Sequence, residues 1–262
     1  MKFNAILLDI ASGVAKITLN RPDKLNSFTD GMHAELKRAM QAILTDSSVR
    51  VLMITGAGRG FCAGQDLSER MMGNEESADV SSSLEKNYNP LLKQLRALPY
   101  PVVCAVNGVA AGAGCNLVLA CDIVIAARSA SFIQIFSKIG LIPDAGGTYT
   151  LPRLVGTARA MAAAMLAEKV SAEQAAQWGM IWKCVDDDKL AGEADALARQ
   201  LARQATRALG LTKRAIYASS NNSFEQQLDL ECALQREAAK SEDFREGVTA
   251  FKDKRPARFS GR

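Results

Sequence analysis

The stretch from Pro101 to Asp122, PVVCAVNGVAAGAGCNLVLACD, constrains the fold of this chain most strongly. An apolar run, Val102 to Val106, predicts a buried strand that ends in an Asn-Gly turn and leads into an apolar helical segment. Between them, Gly112-Ala113-Gly114 has almost no side-chain bulk, so a ligand can approach the N–H groups that a helix leaves unpaired in its first turn. Close packing of helix against strand, without a ligand, explains the same residues equally well.

A second small-residue loop precedes this stretch. Residues 5–9 and 14–20 cluster apolar side chains around a Ser-Gly turn and predict a β-hairpin, and Thr29 or Asp30 can cap a following helix. Residues 49–55 form an almost wholly apolar run, which is typical of a strand buried on both faces of a parallel sheet. The loop GAGRGFCAGQDL follows that run. Two small-residue loops therefore follow two predicted parallel strands.

The order strand, turn, strand, helix recurs along residues 1–188, with further strands predicted at 123–127 and 130–135. This order predicts an α/β fold, a coil of ββα units whose loops stack at one end. Residues 71–83 are polar and predict either a lid or an ordinary surface loop. Residues 189–262 show helical patterns only, so they are predicted to form a helical region that packs on the body or on another subunit.

The charged residues, the cysteines and the single histidine limit the functions and the reactions that this chain can support. The formal net charge is only +4 and the basic residues are interleaved with acidic ones, which argues against a nucleic-acid-binding face. Six cysteines lack CxxC spacing, and no apolar run is long enough to span a membrane, so reduced thiols in the cytoplasm are expected. The single histidine, His33, is predicted on a helix surface. Carboxylates are therefore the expected proton carriers.

These features favour the stabilisation of a negative oxygen by backbone donors, with one carboxylate moving a proton. A thioester suits such a site, because two N–H groups can hold the enolate that forms when the adjacent carbon loses a proton. The loop from Ala63 and the segment around Gly112 can each supply one donor. Asp144 can cap a helix or face such a pocket, and its local sequence leaves both possibilities open.

Four segments together resemble the crotonase (enoyl-CoA hydratase/isomerase) superfamily: RGFCAGQDL, NGVAAGAGCNLVLACDIVIAARSASF, GLIPDAGGTYTLPRLVG and FKDKRPARFSG. The resemblance covers almost the whole chain. It implies a spiral of ββα repeats at residues 1–188 and a helical C-terminal trimerisation region at 189–262, assembled as a trimer or a dimer of trimers. It also implies an acyl-CoA substrate, no separate cofactor and no metal.

The resemblance assigns the site residue by residue. The backbone N–H groups of Gln65 and Ala113 would form the oxyanion hole. CoA would lie along two segments and near two lysines of this chain or of a neighbouring subunit: Lys24, Leu25 and Asn26; Ala63, Asp66 and Leu67; and Lys252 or Lys254 near the phosphates.

Two positions depart from the hydratases of the superfamily. Where those enzymes carry two glutamates, this chain has Asn116 and Phe136, so water addition is expected to be weak or absent. Both residues are candidates for contact with the substrate, and core packing explains Asn116 equally well. The carboxylate that remains is Asp144, at a position where other members of the superfamily place a catalytic aspartate.

Within the superfamily, the segments NRPDKLNSF, FSKIGLIPDAGGT, SAEQAAQWGMIW and REGVTAF are most similar to isomerases of phenylacetate breakdown. Those isomerases expand the ring of epoxidised phenylacetyl-CoA to an oxepin. The similarity implies a thioester enolate held at Gln65 and Ala113, with the proton carried by Asp144. Two alternatives stand beside it: a Δ3,Δ2-enoyl-CoA isomerase of aliphatic chains, and a non-catalytic scaffold subunit.

Overall fold

The computed structural model describes residues 2–68 and 80–262. A mixed six-stranded sheet runs in the order β1-β2-β3-β5-β7-β10, with β1 and β2 antiparallel and the other neighbours parallel. The hairpin predicted near the N-terminus is therefore confirmed. The strands of this sheet are β1 (Ile6–Ala11), β2 (Val14–Leu19), β3 (Val51–Gly56), β5 (Val102–Val106), β7 (Ile123–Ala127) and β10 (Lys183–Val185).

A second sheet has four short strands in the order β4-β6-β8-β9. Three strands of the first sheet are each followed along the chain by a short strand of the second: β3 by β4, β5 by β6 and β7 by β8. This alternation is the coil of ββα units that the sequence predicts, and the α/β fold class is confirmed. The strands of the second sheet are β4 (Gly60–Cys62), β6 (Val109–Ala111), β8 (Ser131–Ile133) and β9 (Val170–Ser171).

The first helix begins where the sequence predicts it. Thr29 is the N-cap of the first helix, and its side chain accepts a hydrogen bond from the N–H of Met32. A π-helical turn, Leu84–Tyr88, joins the helical segments on either side of it. The helices are α1 (Asp30–Thr45), α2 (Val80–Ser83), α3 (Asn89–Ala97), α4 (Ala113–Leu119), α5 (Gly147–Val155), α6 (Thr157–Leu166), α7 (Ala172–Gln177), α8 (Leu190–Ala202), α9 (Thr206–Ser219), α10 (Phe224–Ala238) and α11 (Glu242–Lys252).

The helical C-terminal region is not wholly separate from the body. Helix α8 packs across β2, β3, β5 and β7, so the first helix of this region covers the large sheet. Strand β5 is buried along its whole length, as expected for a central parallel strand. The division at residue 189 into a body and an oligomerisation region stays a prediction.

The surface position predicted for His33 is wrong. His33 is 5 % exposed and stacks on Phe28, with ring centroids 5.0 Å apart. It lies three residues before Leu36 and seven before Met40, which are both buried, so helical geometry places it on the core-facing side of α1. An imidazole can occupy this buried position because its ring packs against other rings as an aromatic side chain does.

Burial also sets the protonation state of two cysteine thiols. Cys62 and Cys115 are buried, and burial raises the pKa of each thiol to about 12. Cys232 is exposed. Within the described ranges, no helix is both long and apolar enough to cross a bilayer. The lid or loop predicted at residues 71–83 lies largely outside the described residues.

Candidate active site

A cavity of about 230 Å³ lies where the two small-residue loops meet the segment that carries Asp144. The structure thus brings together the three residues that the family resemblance assigns to the oxyanion hole and to proton transfer. Most of the wall is apolar. The lining residues are Ala63, Gly64, Gln65, Leu67, Leu84, Tyr88, Gly112, Ala113, Ile135, Phe136, Ile139, Leu141 and Asp144.

The two loops approach each other closely at Gly64. This residue has φ +92°, and a Cβ added to it would lie 3.0 Å from the carbonyl oxygen of Ala111 and 3.6 Å from the nitrogen of Ala113. A larger residue would therefore be strained in its backbone and would push the loops apart. The small residue at this position keeps the peptides of Gln65 and Ala113 at the same cavity.

The backbone N–H of Gln65 is available to a ligand, because the hydrogen bonds of this loop are made by the neighbouring peptides. The N–H of Phe28 donates to the carbonyl of Gly64 at 2.7 Å, and the N–H of Asp66 donates to the carbonyl of Phe28 at 2.9 Å. These bonds fix the peptides on either side of Gln65, whose own N–H has no acceptor in residues 2–68 and 80–262. Ala113 opens helix α4, where the N–H is likewise not consumed by the helix.

Asp66, which the resemblance places along CoA, braces the Gln65 loop. Its carboxylate accepts hydrogen bonds from the N–H and the hydroxyl of Ser68 and pairs with Arg21 at 2.9 Å. The Ser68 hydroxyl and, after it, the Arg21 guanidinium lower the pKa of Asp66. Asp66 is not part of the cavity wall, whereas Ala63 and Leu67 are.

The segment Lys24 to Asn26 supports the same loop from the other side. The Asn26 side chain is fully buried and donates to the carbonyl of Gly60 at 2.8 Å. The carbonyl of Leu25 accepts the N–H of Ala63 at 2.9 Å. Lys24 is exposed. The hydrogen bond of the Asn26 side chain therefore stabilises the fold of the loop. Contact of this segment with CoA stays a prediction.

Asn116 does not line the cavity, although the sequence proposes it as a contact with the substrate. It is fully buried, and its amide nitrogen donates to the backbone carbonyl of Asp144 at 2.8 Å. Its amide oxygen accepts a hydrogen bond of 2.8 Å from Gln134. Asn116 therefore acts on the backbone of Asp144, while Phe136 does lie in the cavity wall as expected.

Asp144 is not a helix cap. Helix α5 begins at Gly147, its N-cap is Gly146, and no side chain caps it. The side chain of Asp144 instead joins the cavity wall together with Phe136 and Leu141. Ala145, directly after Asp144, has φ +46°, a conformation that costs a non-glycine residue about 1 kcal/mol. Strain at this point is typical of a segment that holds a functional side chain in place.

Tyr88 is a site residue that the sequence reasoning missed. It projects into the cavity from the π-helical turn, four residues after Leu84, and its hydroxyl donates to the side-chain oxygen of Gln65 at 2.7 Å. The amide nitrogen of Gln65 donates to the carbonyl of Phe28 at 3.1 Å. A tyrosine in an otherwise aliphatic helical stripe is the one sequence signal that points to it.

Backbone donors and a carboxylate in one apolar cavity can stabilise an enolate and move a proton. Lys252 and Lys254 are exposed near the end of α11 and do not line this cavity. In the described part of the chain, no three His, Cys, Asp or Glu side chains are grouped as a metal site requires.

The family model described as Enoyl-CoA hydratase/isomerase matches residues 9–262. The chain belongs to this family. It is therefore an enzyme of the enoyl-CoA hydratase/isomerase family, and the family resemblance drawn from its sequence motifs is confirmed.

Individual members of the enoyl-CoA hydratase/isomerase family are similar over nearly the full length. The 1,2-epoxyphenylacetyl-CoA isomerase of Escherichia coli (strain K12) is 55% identical, with 98% of each chain covered. A Rhodobacter capsulatus protein named "Probable enoyl-CoA hydratase" is 47% identical, with 100% of each chain covered. The crystal structure of an enoyl-CoA hydratase from Bacillus anthracis is 35% identical with a TM-score of 0.93, covering 99% of this chain and 100% of that one.

Proposed function

We propose that this enzyme isomerises the CoA thioester of ring-1,2-epoxidised phenylacetic acid to oxepin-CoA. The observation that carries the proposal is the meeting of Gln65, Ala113 and Asp144 at one apolar cavity. The 55% identity to an isomerase named for this substrate supports the choice of acyl group. The reaction belongs to phenylacetate breakdown in the cytoplasm.

The N–H groups of Gln65 and Ala113 hold the thioester oxygen. As C2 of the acyl group loses a proton, negative charge develops on this oxygen and both hydrogen bonds strengthen. One donor of this kind contributes about 3 kcal/mol to stabilisation of the transition state. Because the donors are backbone groups fixed by neighbouring peptides, they need no reorganisation during the reaction.

Asp144 carries the proton. Its carboxylate takes a proton from C2 and returns it to a ring carbon, so substrate and product have the same composition. The carbon–carbon bond shared by the epoxide and the six-membered ring breaks, and both carbon–oxygen bonds remain. The result is a seven-membered ring that contains the oxygen. The apolar neighbours Phe136 and Leu141 limit the access of water to the enolate.

Water addition is disfavoured by the same wall. A hydratase must position and deprotonate a water molecule, which requires a second acid–base group. Phe136 is apolar and the amide of Asn116 is engaged by Gln134 and by the Asp144 backbone. Among the described residues, Asp144 is the only carboxylate that lines the cavity.

The same chemistry fits a shift of a β,γ double bond to the α,β position, which also passes through a thioester enolate. A Δ3,Δ2-enoyl-CoA isomerase of aliphatic chains is therefore the second candidate. Both candidates require CoA, whose phosphates we assign to Lys252 or Lys254, from this chain or a neighbour.

A homo-oligomer, a trimer or a dimer of trimers, accounts for exposed apolar side chains such as Ile142 at 78% and Phe251 at 86% exposure. Covering these side chains at a subunit interface would remove apolar surface from water.

A direct assay tests the function. Purified enzyme is supplied with ring-1,2-epoxyphenylacetyl-CoA or with 3-hexenoyl-CoA, and products are identified by mass spectrometry and ultraviolet absorbance. We expect oxepin-CoA as the main product, with a higher kcat/KM for the epoxide. Turnover of 3-hexenoyl-CoA alone would support the second candidate, and absence of oxepin-CoA would refute the first.

A further inference from the structure

Two polar groups in the acyl cavity have no part in the proposed mechanism. Among the described lining residues, only Gln65, Tyr88 and Asp144 have polar side chains. The mechanism uses the carboxylate of Asp144 and the backbone of Gln65. It leaves the side-chain amide of Gln65 and the hydroxyl of Tyr88 without a function.

We propose that the Gln65 amide and the Tyr88 hydroxyl bind the ring oxygen of the substrate and thereby determine its specificity. This inference rests on the proposed function, because an aliphatic enoyl thioester has no oxygen at that place. It assigns the pair a role in recognition of an ether-type oxygen and not in proton transfer.

The pair is preorganised. The Tyr88 hydroxyl donates to the Gln65 amide oxygen at 2.7 Å, and the amide nitrogen donates one of its two N–H bonds to the carbonyl of Phe28 at 3.1 Å. The other N–H is a donor that a ligand can engage directly, and the Tyr88 hydroxyl can donate to a ligand by rotating away from the Gln65 amide oxygen. The Tyr88 ring is held edge-on by Phe28 and His33, with centroid distances of 5.3 and 4.4 Å.

The connectivity of the substrate requires a donor near this place. The epoxide oxygen is attached to the ring carbon that bears C2, so only C2 and that ring carbon separate it from the thioester carbonyl carbon. When the backbone N–H of Gln65 holds the thioester oxygen, the ring oxygen must lie close to the same residue. The side chain of Gln65 extends from that residue along the cavity wall to Tyr88.

The acidity of the pair matches the reaction. Both carbon–oxygen bonds must survive ring expansion. Full protonation of the epoxide oxygen would break one of them, and the ring would then aromatise to a phenol. A carboxamide and a phenolic hydroxyl can donate hydrogen bonds without giving up a proton at neutral pH. A weakly acidic pair therefore binds the oxygen and leaves its bonds intact.

The test compares two CoA thioesters that differ in the ring oxygen. For the enzyme and its Tyr88→Phe and Gln65→Met variants, kcat/KM is measured on the ring epoxide. The inhibition constant is measured for phenylacetyl-CoA, which lacks the oxygen. Each variant should lower kcat/KM by about tenfold, the upper range for loss of one neutral hydrogen bond. The inhibition constant should change by less than about twofold.

Tyr100→Phe is the matched control. It removes a buried tyrosine hydroxyl that makes no hydrogen bond among the described residues and lies outside the acyl cavity. It should change neither quantity. Equal losses in kcat/KM and in phenylacetyl-CoA binding for Tyr88→Phe would show that Tyr88 only shapes the cavity, and would overturn the inference. Unchanged kcat/KM would overturn it as well.

The wild-type enzyme separates this inference from the function on which it rests. If it does not turn over the epoxide, the proposed function fails and the inference falls with it. If it does so while both variants keep the wild-type ratio of epoxide turnover to phenylacetyl-CoA inhibition, only the inference is refuted.

Discussion

Two aspartates near helix α4 show how the surroundings of a carboxylate decide its use. Asp122 follows the helix and accepts hydrogen bonds from the Val102 N–H at 2.7 Å and the Tyr217 hydroxyl at 2.6 Å. It also pairs with Lys213 at 2.8 Å. Asp144 is held through its backbone by a residue of the same helix, and its carboxylate lies in an apolar cavity wall. The first carboxylate holds helix α9 against the body, and the second faces the cavity.

The largest expected effect is on activity at Asp144. Asp144→Asn keeps the shape of the side chain and removes the proton acceptor, so kcat on the epoxide should fall by about 10³-fold, within the usual range for loss of general acid–base catalysis. Single-turnover measurements would check the fall. The midpoint of thermal unfolding should stay close to that of the wild-type enzyme. Substantial remaining kcat would mean that another group carries the proton.

The second prediction concerns stability at Asp122. Asp122→Ala leaves the ammonium of Lys213, which is 8% exposed, without its buried partner. The free energy of unfolding should fall by about 3 to 5 kcal/mol, measured by urea denaturation. The double variant Asp122→Ala, Lys213→Met should recover part of the loss, because it removes the unpaired charge as well. Failure of the double variant to recover stability would show that hydrogen bonds of Asp122, and not its charge, dominate.

The third prediction tests whether Asn116 positions Asp144. Asn116→Ala removes the hydrogen bond to the Asp144 carbonyl and should lower kcat by about ten- to a hundredfold, as expected when a catalytic group shifts by about 1 Å. The substrate-binding wall is unchanged, so KM should change much less than kcat. Ser131→Ala, at another buried polar residue, is the control. An equal rise in KM would indicate that Asn116 acts on the cavity shape instead.

The smallest effect is expected at Asp66, whose role lies between those of Asp122 and Asp144. Its pKa is lowered in the folded enzyme by Ser68 and Arg21. It therefore stabilises the fold fully above the unfolded pKa, about 3.9, and this contribution is lost as pH falls through the lower folded value. Asp66→Asn should cost about 1 kcal/mol at pH 7, by urea denaturation, and the difference from wild type should shrink toward pH 3.

Asp46 provides the control for Asp66. Its carboxylate accepts hydrogen bonds from the N–H and the hydroxyl of Ser48, in the same local arrangement as Asp66 with Ser68. It is half-buried at the C-cap of α1, and no salt bridge to it is found among the described residues. Asp46→Asn should therefore cost less than Asp66→Asn. Equal costs would show that the ion pair with Arg21 contributes nothing measurable.

Features governed by local periodicity or by short turns could be predicted from the sequence. The hairpin, the buried parallel strands and the Thr29 cap follow from side-chain patterns over a few residues. The meeting of Gln65 and Ala113 at one edge follows from the parallel strands, since their carboxyl ends lie together. Asp144 could be proposed only through family resemblance, because its local sequence fits a helix cap equally well.

The remaining features depend on contacts between distant segments. Asn116 was a candidate for substrate contact because it stands where the hydratases of the superfamily carry a glutamate, but the carbonyl that accepts its amide N–H lies 28 residues later. His33 is buried by the rings of Phe28 and Tyr88, and Tyr88 lies 55 residues further along the chain. No pattern along one segment can report such contacts.

The π-helical turn Leu84–Tyr88 has a consequence for changes in chain length. It accommodates one residue more than an α-helical turn, and it lets Leu84 and Tyr88 both reach the cavity while Leu92 and Leu95 of α3 stay in the core. Deleting one residue from the turn would restore an α-helical turn of nearly the same total rotation, because four residues at 3.6 per turn cover about the same angle as the five of the π-helical turn. The core residues would therefore keep α3 in place. In a regular α-helix the same deletion would rotate one end relative to the other by about 100°, so a single-codon deletion here should be tolerated better than one in the middle of α3.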